Sequence, residues 1–132
     1  MLEVEVLGTR LAPEAPPPEE VRRLCKRAAG SAGITHGHVA VEFVDSRRIA
    51  ELNAQHRGHA GPTDVLSFPI DGAAAGDAPS RELGDVVICA EHATDLREAV
   101  VHGVLHLVGM DHETDGGQML ALQRSLLARG TG

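Results

Sequence analysis

The stretch LREAVVHGVLHLV, residues 96–108, constrains the fold more than any other part of the chain. Leu96, Ala99, Val100, Val104, Leu107 and Val108 form one apolar stripe at helical spacing, and Val101 and Leu105 carry the apolar surface almost all round its second half. A helix without a polar face is a buried helix. The pattern therefore predicts a helix from about Glu91 to Val108 that lies inside the core. At 132 residues the chain has the length of one ordinary domain, a size that buries about two-thirds of the surface its unfolded form exposes. One domain over residues 1–132 is the expectation. Aromatic residues make up only 2%, Phe43 and Phe68 with no Trp or Tyr, so Leu, Val, Ile and Ala must build that core.

The other elements follow from period and punctuation. Leu2, Val4 and Val6 alternate with Glu3 and Glu5, the pattern of a half-buried strand. APEAPPPEE ends it, and Pro18 stands where a helix begins without losing a needed donor. Val21, Leu24, Cys25, Ala28 and Ala29 then recur at helical spacing up to Gly30. HVAVEFV, 38–44, reads as a second strand. Asp45 or Ser46 is placed to cap a short helix that carries Ile49 and Leu52 inward and stops near Gly58. DVLSFPI, 64–70, and LGDVVIC, 83–89, are β-branched strands, with Pro69 marking an edge or exit position. DGAAAGDAPSRE between them lacks periodicity and reads as a mobile surface loop. A final helix is expected from about Asp115 to Arg129, with Met119, Leu122, Leu126 and Leu127 inward and Gly130 as its stop. Strands mostly precede helices, which favours an α+β fold: a mixed sheet of about four strands layered with helices.

Two histidines interrupt the buried helix, and a third follows it. His102 and His106 are four apart, so their rings lie on one side of the helix a turn apart. Gly109 can end the helix in the left-handed conformation, letting MDH double back so that His112 approaches the same point. With 8 histidines in the chain, this triple would arise by chance roughly 0.03 times. Buried imidazoles are costly without partners, and one shared metal compensates all three. Three neutral nitrogens with an open fourth position make a catalytic zinc site, whereas structural zinc fills that position with Cys or His. The spacing His-x3-His-x2-Gly-x2-His is that of zincin-like metzincin proteases, but Gly103 stands where those enzymes carry the glutamate base. Asp111 is placed to support a ligand, to act as a weak ligand itself, or to cap the reversed turn.

The formal charge of −7 argues against a general positive field for nucleic acid, so any RNA contact must be a local patch. Arg22, Arg23, Lys26 and Arg27 lie toward the end of the first helix, after Glu19 and Glu20 at its start, an order that simply complements the helix dipole. Arg47, Arg48 and Arg57 lie farther along. Arg57 precedes the turn into the third strand and can project toward a cleft, where a guanidinium grips a phosphate through two parallel hydrogen bonds. Thr63, Asp64 and Ser67 read as turn and strand residues. Cys25 and Cys89 are far apart in apolar settings and are expected as reduced, buried thiols. No secretory signal opens the chain, and no apolar run approaches the about 20 residues that span a bilayer. A cytoplasmic protein is the expectation.

HGVLHLVGMDH, together with LN, the arginine that follows it, PTDVLSFP and LGDVVIC, resembles the YbeY family of bacterial endoribonucleases, over most of the chain from about Val39 to Leu127. The resemblance implies one zinc ion held by His102, His106 and His112, and Arg57 as the catalytic or phosphate-binding arginine. It implies single-stranded RNA as substrate, processing of the 3′ end of small-subunit (16S) rRNA, ribosome quality control, and association with the small subunit and its assembly factors. Two departures stand out: a shorter segment, Ala90 to Val101, before the histidine pair, and Met110 where family members commonly carry tyrosine. Water and a ribose 2′-hydroxyl both remain open as the nucleophile. A metzincin-like hydrolase and a noncatalytic assembly factor braced by its metal are the alternatives.

Overall fold

The computed structural model describes residues 2–58, 61, 63–71, 81–110 and 116–129. Strands β1 (Leu2–Leu7), β2 (Gly37–Val44), β3 (Val65–Pro69) and β4 (Glu82–Cys89) form one mixed sheet in the order β1-β2-β4-β3. β1, β2 and β4 run parallel, and β3 closes one edge antiparallel to β4. Pro69, which has no N–H to donate, is the last residue of that edge strand, as its chemistry requires. Among the described residues there are four α-helices: α1 (Pro18–Gly30), α2 (Ser46–Arg57) and α3 (Leu96–Leu107) pack on the sheet, and α4 (Gln118–Arg129) packs on α1 and α3.

The alternation of strand residues sorts the core into two clusters. Val39, Val41, Phe43, Val86 and Ile88 face one way, into a cluster with α1, α3 and α4. Val44, Val87 and Cys89 face the other way, with Leu66 and with Ile49 and Leu52 of α2. α3 is the buried helix of the larger cluster, with Ala99, Val100, Val101, Gly103, Val104, Leu105 and Leu107 all buried. β4 reaches this alignment through a bulge: His38 pairs with Glu82 but Val39 with Gly84, leaving Leu83 as the extra residue. Gly84 sits at φ +131°, and a Cβ there would come within 2.1 Å of the Phe68 carbonyl oxygen, so only glycine fits.

Local chemistry sets the helix ends. Asp45 caps α2 by accepting the Arg48 N–H at 2.8 Å, and Gly58 closes it at φ 69°. α3 begins at Leu96 rather than near Glu91, because the Cys89 carbonyl takes the N–H groups of His92 and Ala93 in a turn and the Asp95 carboxylate caps the Glu98 N–H at 3.1 Å. α4 starts at Gln118, after Gly116 and Gly117 at positive φ; Asp115, the expected start, and Gly130, the expected stop, lie outside the described residues. Arg27 Nη1 donates to the Leu126 carbonyl at 3.2 Å, satisfying an open acceptor in the last turn of α4, while Arg22, Arg23 and Lys26 are exposed. Most of the expected surface loop lies outside the described residues, but its ends are joined: Glu82 N–H donates to Asp71 Oδ2 at 2.7 Å and Asp71 N–H to the Glu82 carbonyl at 2.9 Å.

Both cysteines are reduced and buried. Loss of hydration pushes the Cys25 thiol up from 9.0 to about 12. The folded chain then keeps a proton that the unfolded chain releases above pH 9.0, so this contribution to stability is complete below pH 9.0 and is lost as pH rises toward about 12. Cys25→Ala is expected to flatten the decline of denaturation midpoint across that alkaline range, measured by denaturant unfolding at a series of pH values.

Candidate metal centre

α3 carries His102 and His106 on the flank that meets α4, both half-buried. Their rings meet edge to face with centroids 4.7 Å apart, and the two Nε2 atoms approach to 3.1 Å. The outer nitrogens are held from different sides. His106 Nδ1–H donates to the Met110 carbonyl at 2.9 Å, and His102 Nδ1–H donates to Gln123 Oε1 of α4 at 2.9 Å.

The Met110 contact is built by the helix stop. Gly109 takes φ +102°, its N–H donates to the His106 carbonyl at 3.0 Å, and the Met110 N–H donates to the Leu105 carbonyl at 3.1 Å. These are the two bonds of a Schellman turn. That turn folds the Met110 carbonyl back beneath the His106 ring, so the sequence reading of Gly109 as a left-handed stop holds. A carbonyl only accepts, so His106 carries its proton on Nδ1 and presents a lone pair at Nε2; the Gln123 oxygen sets His102 in the same way. Two such lone pairs at 3.1 Å repel one another unless a proton or a metal ion lies between them. Both nitrogens can reach one ion at the Zn–N distance of about 2.0–2.1 Å, so the donor set fits zinc. Among the described residues no third His, Cys, Asp or Glu completes a metal-binding group with them, and His112 and Asp111 lie outside those residues.

A cleft of about 120 Å³ opens beside His102, lined by Asp64, Val65, Thr94, Asp95 and Glu98 among others. Its carboxylates give this side of the pair a negative potential, which favours a bound cation. Asp64 and Asp95 also have structural work: Asp64 Oδ1 accepts the Val65 N–H at 2.8 Å at the start of β3, and Asp95 caps α3. Ser67 Oγ donates to the Gly103 carbonyl at 2.9 Å, tying β3 to α3, so Ser67 and Asp64 are the strand and turn residues they were read as. At Gly103 itself a Cβ would fall 2.3 Å from Val86 Cγ1. The helix touches the sheet here, which leaves no room for the glutamate base of a metzincin.

Arg57 is the last residue of α2, on the face of the sheet opposite α3, and its side chain lies outside the described residues. Its neighbour His56 packs edge-on against Phe68 of β3 with ring centroids 4.8 Å apart, and Asn53 Nδ2 donates to the Gly61 carbonyl at 2.9 Å. These contacts bring the end of α2 to the β3 edge, the strand that Ser67 ties to α3. Gln123 and the Met110 carbonyl were not foreseen. Gln123 had a signal, being a polar residue four after Met119 and three before Leu126 on the inward face of α4.

Residues 18–130, from the first turn of α1 to the end of α4, match the family described as Endoribonuclease YbeY. This chain belongs to the YbeY endoribonuclease family. An Endoribonuclease YbeY of Symbiobacterium thermophilum is 40% identical over 131 residues, covering 83% of this chain and 84% of the relative. One from Rubrobacter xylanophilus is 38% identical, covering 94% and 93%. Among solved structures, the solution structure of TM1509 from Thermotoga maritima matches with a TM-score of 0.54 at 26% identity, over 96% of this chain and 88% of that one. The span matched by the YbeY family includes Arg57, all three histidines and Gln123. Among the described residues no helix is long and apolar enough to cross a membrane.

Proposed function

We propose that this chain is a zinc-dependent endoribonuclease that cuts single-stranded RNA in the cytoplasm, acting in 3′-end maturation of small-subunit (16S) rRNA and in ribosome quality control, with the small subunit and its assembly factors as partners. The observation that carries the reading is the pair of Nε2 atoms 3.1 Å apart, each ring fixed through Nδ1, in a family whose relatives are named as endoribonucleases. His102, His106 and His112 would hold one zinc ion. When bound, the ion supplies Lewis acidity for phosphodiester cleavage. Met110 and Gln123 hold the rings in the tautomer that binds metal. Arg57 grips the scissile phosphate and offsets the charge that grows on its oxygens, and the chain's net negative charge makes this one guanidinium weigh heavily.

The test is to incubate zinc-loaded protein with labelled single-stranded RNA and, separately, with unfolded protein. RNA is expected to be cut and cleavage to stop with a chelator; cutting of peptide alone overturns the reading. Arg57→Glu is expected to lower RNA cleavage by about 10²–10³-fold, the range for losing one transition-state donor, with the unfolding temperature and zinc content unchanged. Product ends identify the nucleophile: a cyclic phosphate marks the 2′-hydroxyl.

A further inference from the structure

Gln123 is 4% exposed, on the inward face of α4 between Met119 and Leu126. A buried amide is costly unless it is hydrogen-bonded, and an apolar side chain of the same length would fill this position at less expense. What the amide provides is its oxygen, 2.9 Å from His102 Nδ1. We propose that Gln123 is a positioning residue for metal binding: it holds His102 with the proton on Nδ1 and the Nε2 lone pair turned toward His106, and so makes α4 part of the centre that α3 carries. The inference rests on the zinc reading above and extends it to a residue that touches neither metal nor substrate.

The two rings are held by unlike means. His106 is fixed by the main chain four residues on, within the helix stop. His102 is fixed by a side chain 21 residues away, on another helix. Metal affinity therefore depends on the docking of α4, and the dependence passes through the bond from His102 to Gln123. Outer partners of metal-binding histidines typically carry 10–100-fold in metal affinity. A residue that only packed between the helices would alter stability and leave that affinity alone.

Gln123→Met keeps length and burial and removes the acceptor; Gln123→Glu keeps an acceptor. Zinc dissociation constants, measured by competition with a chromophoric chelator, are expected to rise about 10–100-fold in Gln123→Met and to stay at or below the wild-type value in Gln123→Glu. Long-range ¹H–¹⁵N correlation spectra of zinc-free wild type are expected to show His102 protonated at Nδ1, and Gln123→Met to show a mixture of tautomers. Wild-type zinc affinity in Gln123→Met overturns the proposal, and so does a wild-type His102 protonated at Nε2. Should Gln123→Met fail to fold, the wild-type spectrum still decides. A wild type that binds no zinc removes the metal reading itself, an outcome separate from a variant that binds as tightly as wild type.

Discussion

Replacing His106 with alanine is expected to strip zinc from the purified protein and reduce RNA cleavage to the level of chelator-treated wild type. Removing a ligand should exceed the 10–100-fold loss typical of outer partners, so a drop of more than about 100-fold in zinc affinity is the outcome to look for. The approach to His102 Nε2 and the bond to the Met110 carbonyl disappear together. The apolar core around α3 keeps its residues, so the zinc-free variant should unfold near the temperature of the zinc-free wild type. His38→Ala is the matching control. That imidazole is also half-exposed but lies in β2, 3.0 Å from Glu82 and 3.7 Å from Glu5, and its loss should leave zinc content untouched. Metal analysis of the variants alongside a cleavage assay decides the matter, and full zinc occupancy in His106→Ala would sink the assignment.

The second large effect is one of space. Gly103→Ala puts a methyl group 2.3 Å from Val86 Cγ1, and Val86 is a branched, fully buried residue in the middle of the sheet. Overpacking of this kind typically costs about 1–3 kcal/mol, against a gain of about 0.8–1.0 kcal/mol from exchanging glycine for alanine in a helix. A net loss of up to about 2 kcal/mol is expected from those two ranges, read as a lowered denaturant midpoint. Val86→Ala in the same chain should recover part of it, so that the two substitutions are less than additive. Additive losses would mean that helix and sheet do not press on each other at this point. Gly103→Glu, which restores the metzincin pattern on paper, should fail to fold rather than gain peptidase activity.

Much of the architecture was legible because period and punctuation are local. Asp45, Gly58, Pro18 and Gly109 each act within a few residues of themselves, and their helix ends fell where the chemistry put them. The start of α3 is not legible because nothing in Glu91 to Thr94 signals that the Cys89 carbonyl will gather the N–H groups of His92 and Ala93 into a turn; Asp95 is the better cap. Parallel pairing, strand order and the bulge at Leu83 depend on which segments meet in space, which periodicity does not report. The same division holds at the centre. Spacing alone put His102 and His106 side by side, whereas Gln123, 21 residues away from His102, becomes meaningful only once α4 is laid against α3. Gly103 was read as a missing base; its place against Val86 shows it as the point where the helix touches the sheet.

The main-chain origin of the His106 restraint separates what residue 110 may be from what residue 109 must be. Because an oxygen of the peptide unit does the holding, the imidazole asks of residue 110 a main chain with its N–H and carbonyl in place, a demand that proline alone fails, and asks nothing of the side chain itself. At Gly109, with φ +102°, the same tolerance vanishes: a single methyl group there would swing the carbonyl away and slacken the ring it steadies.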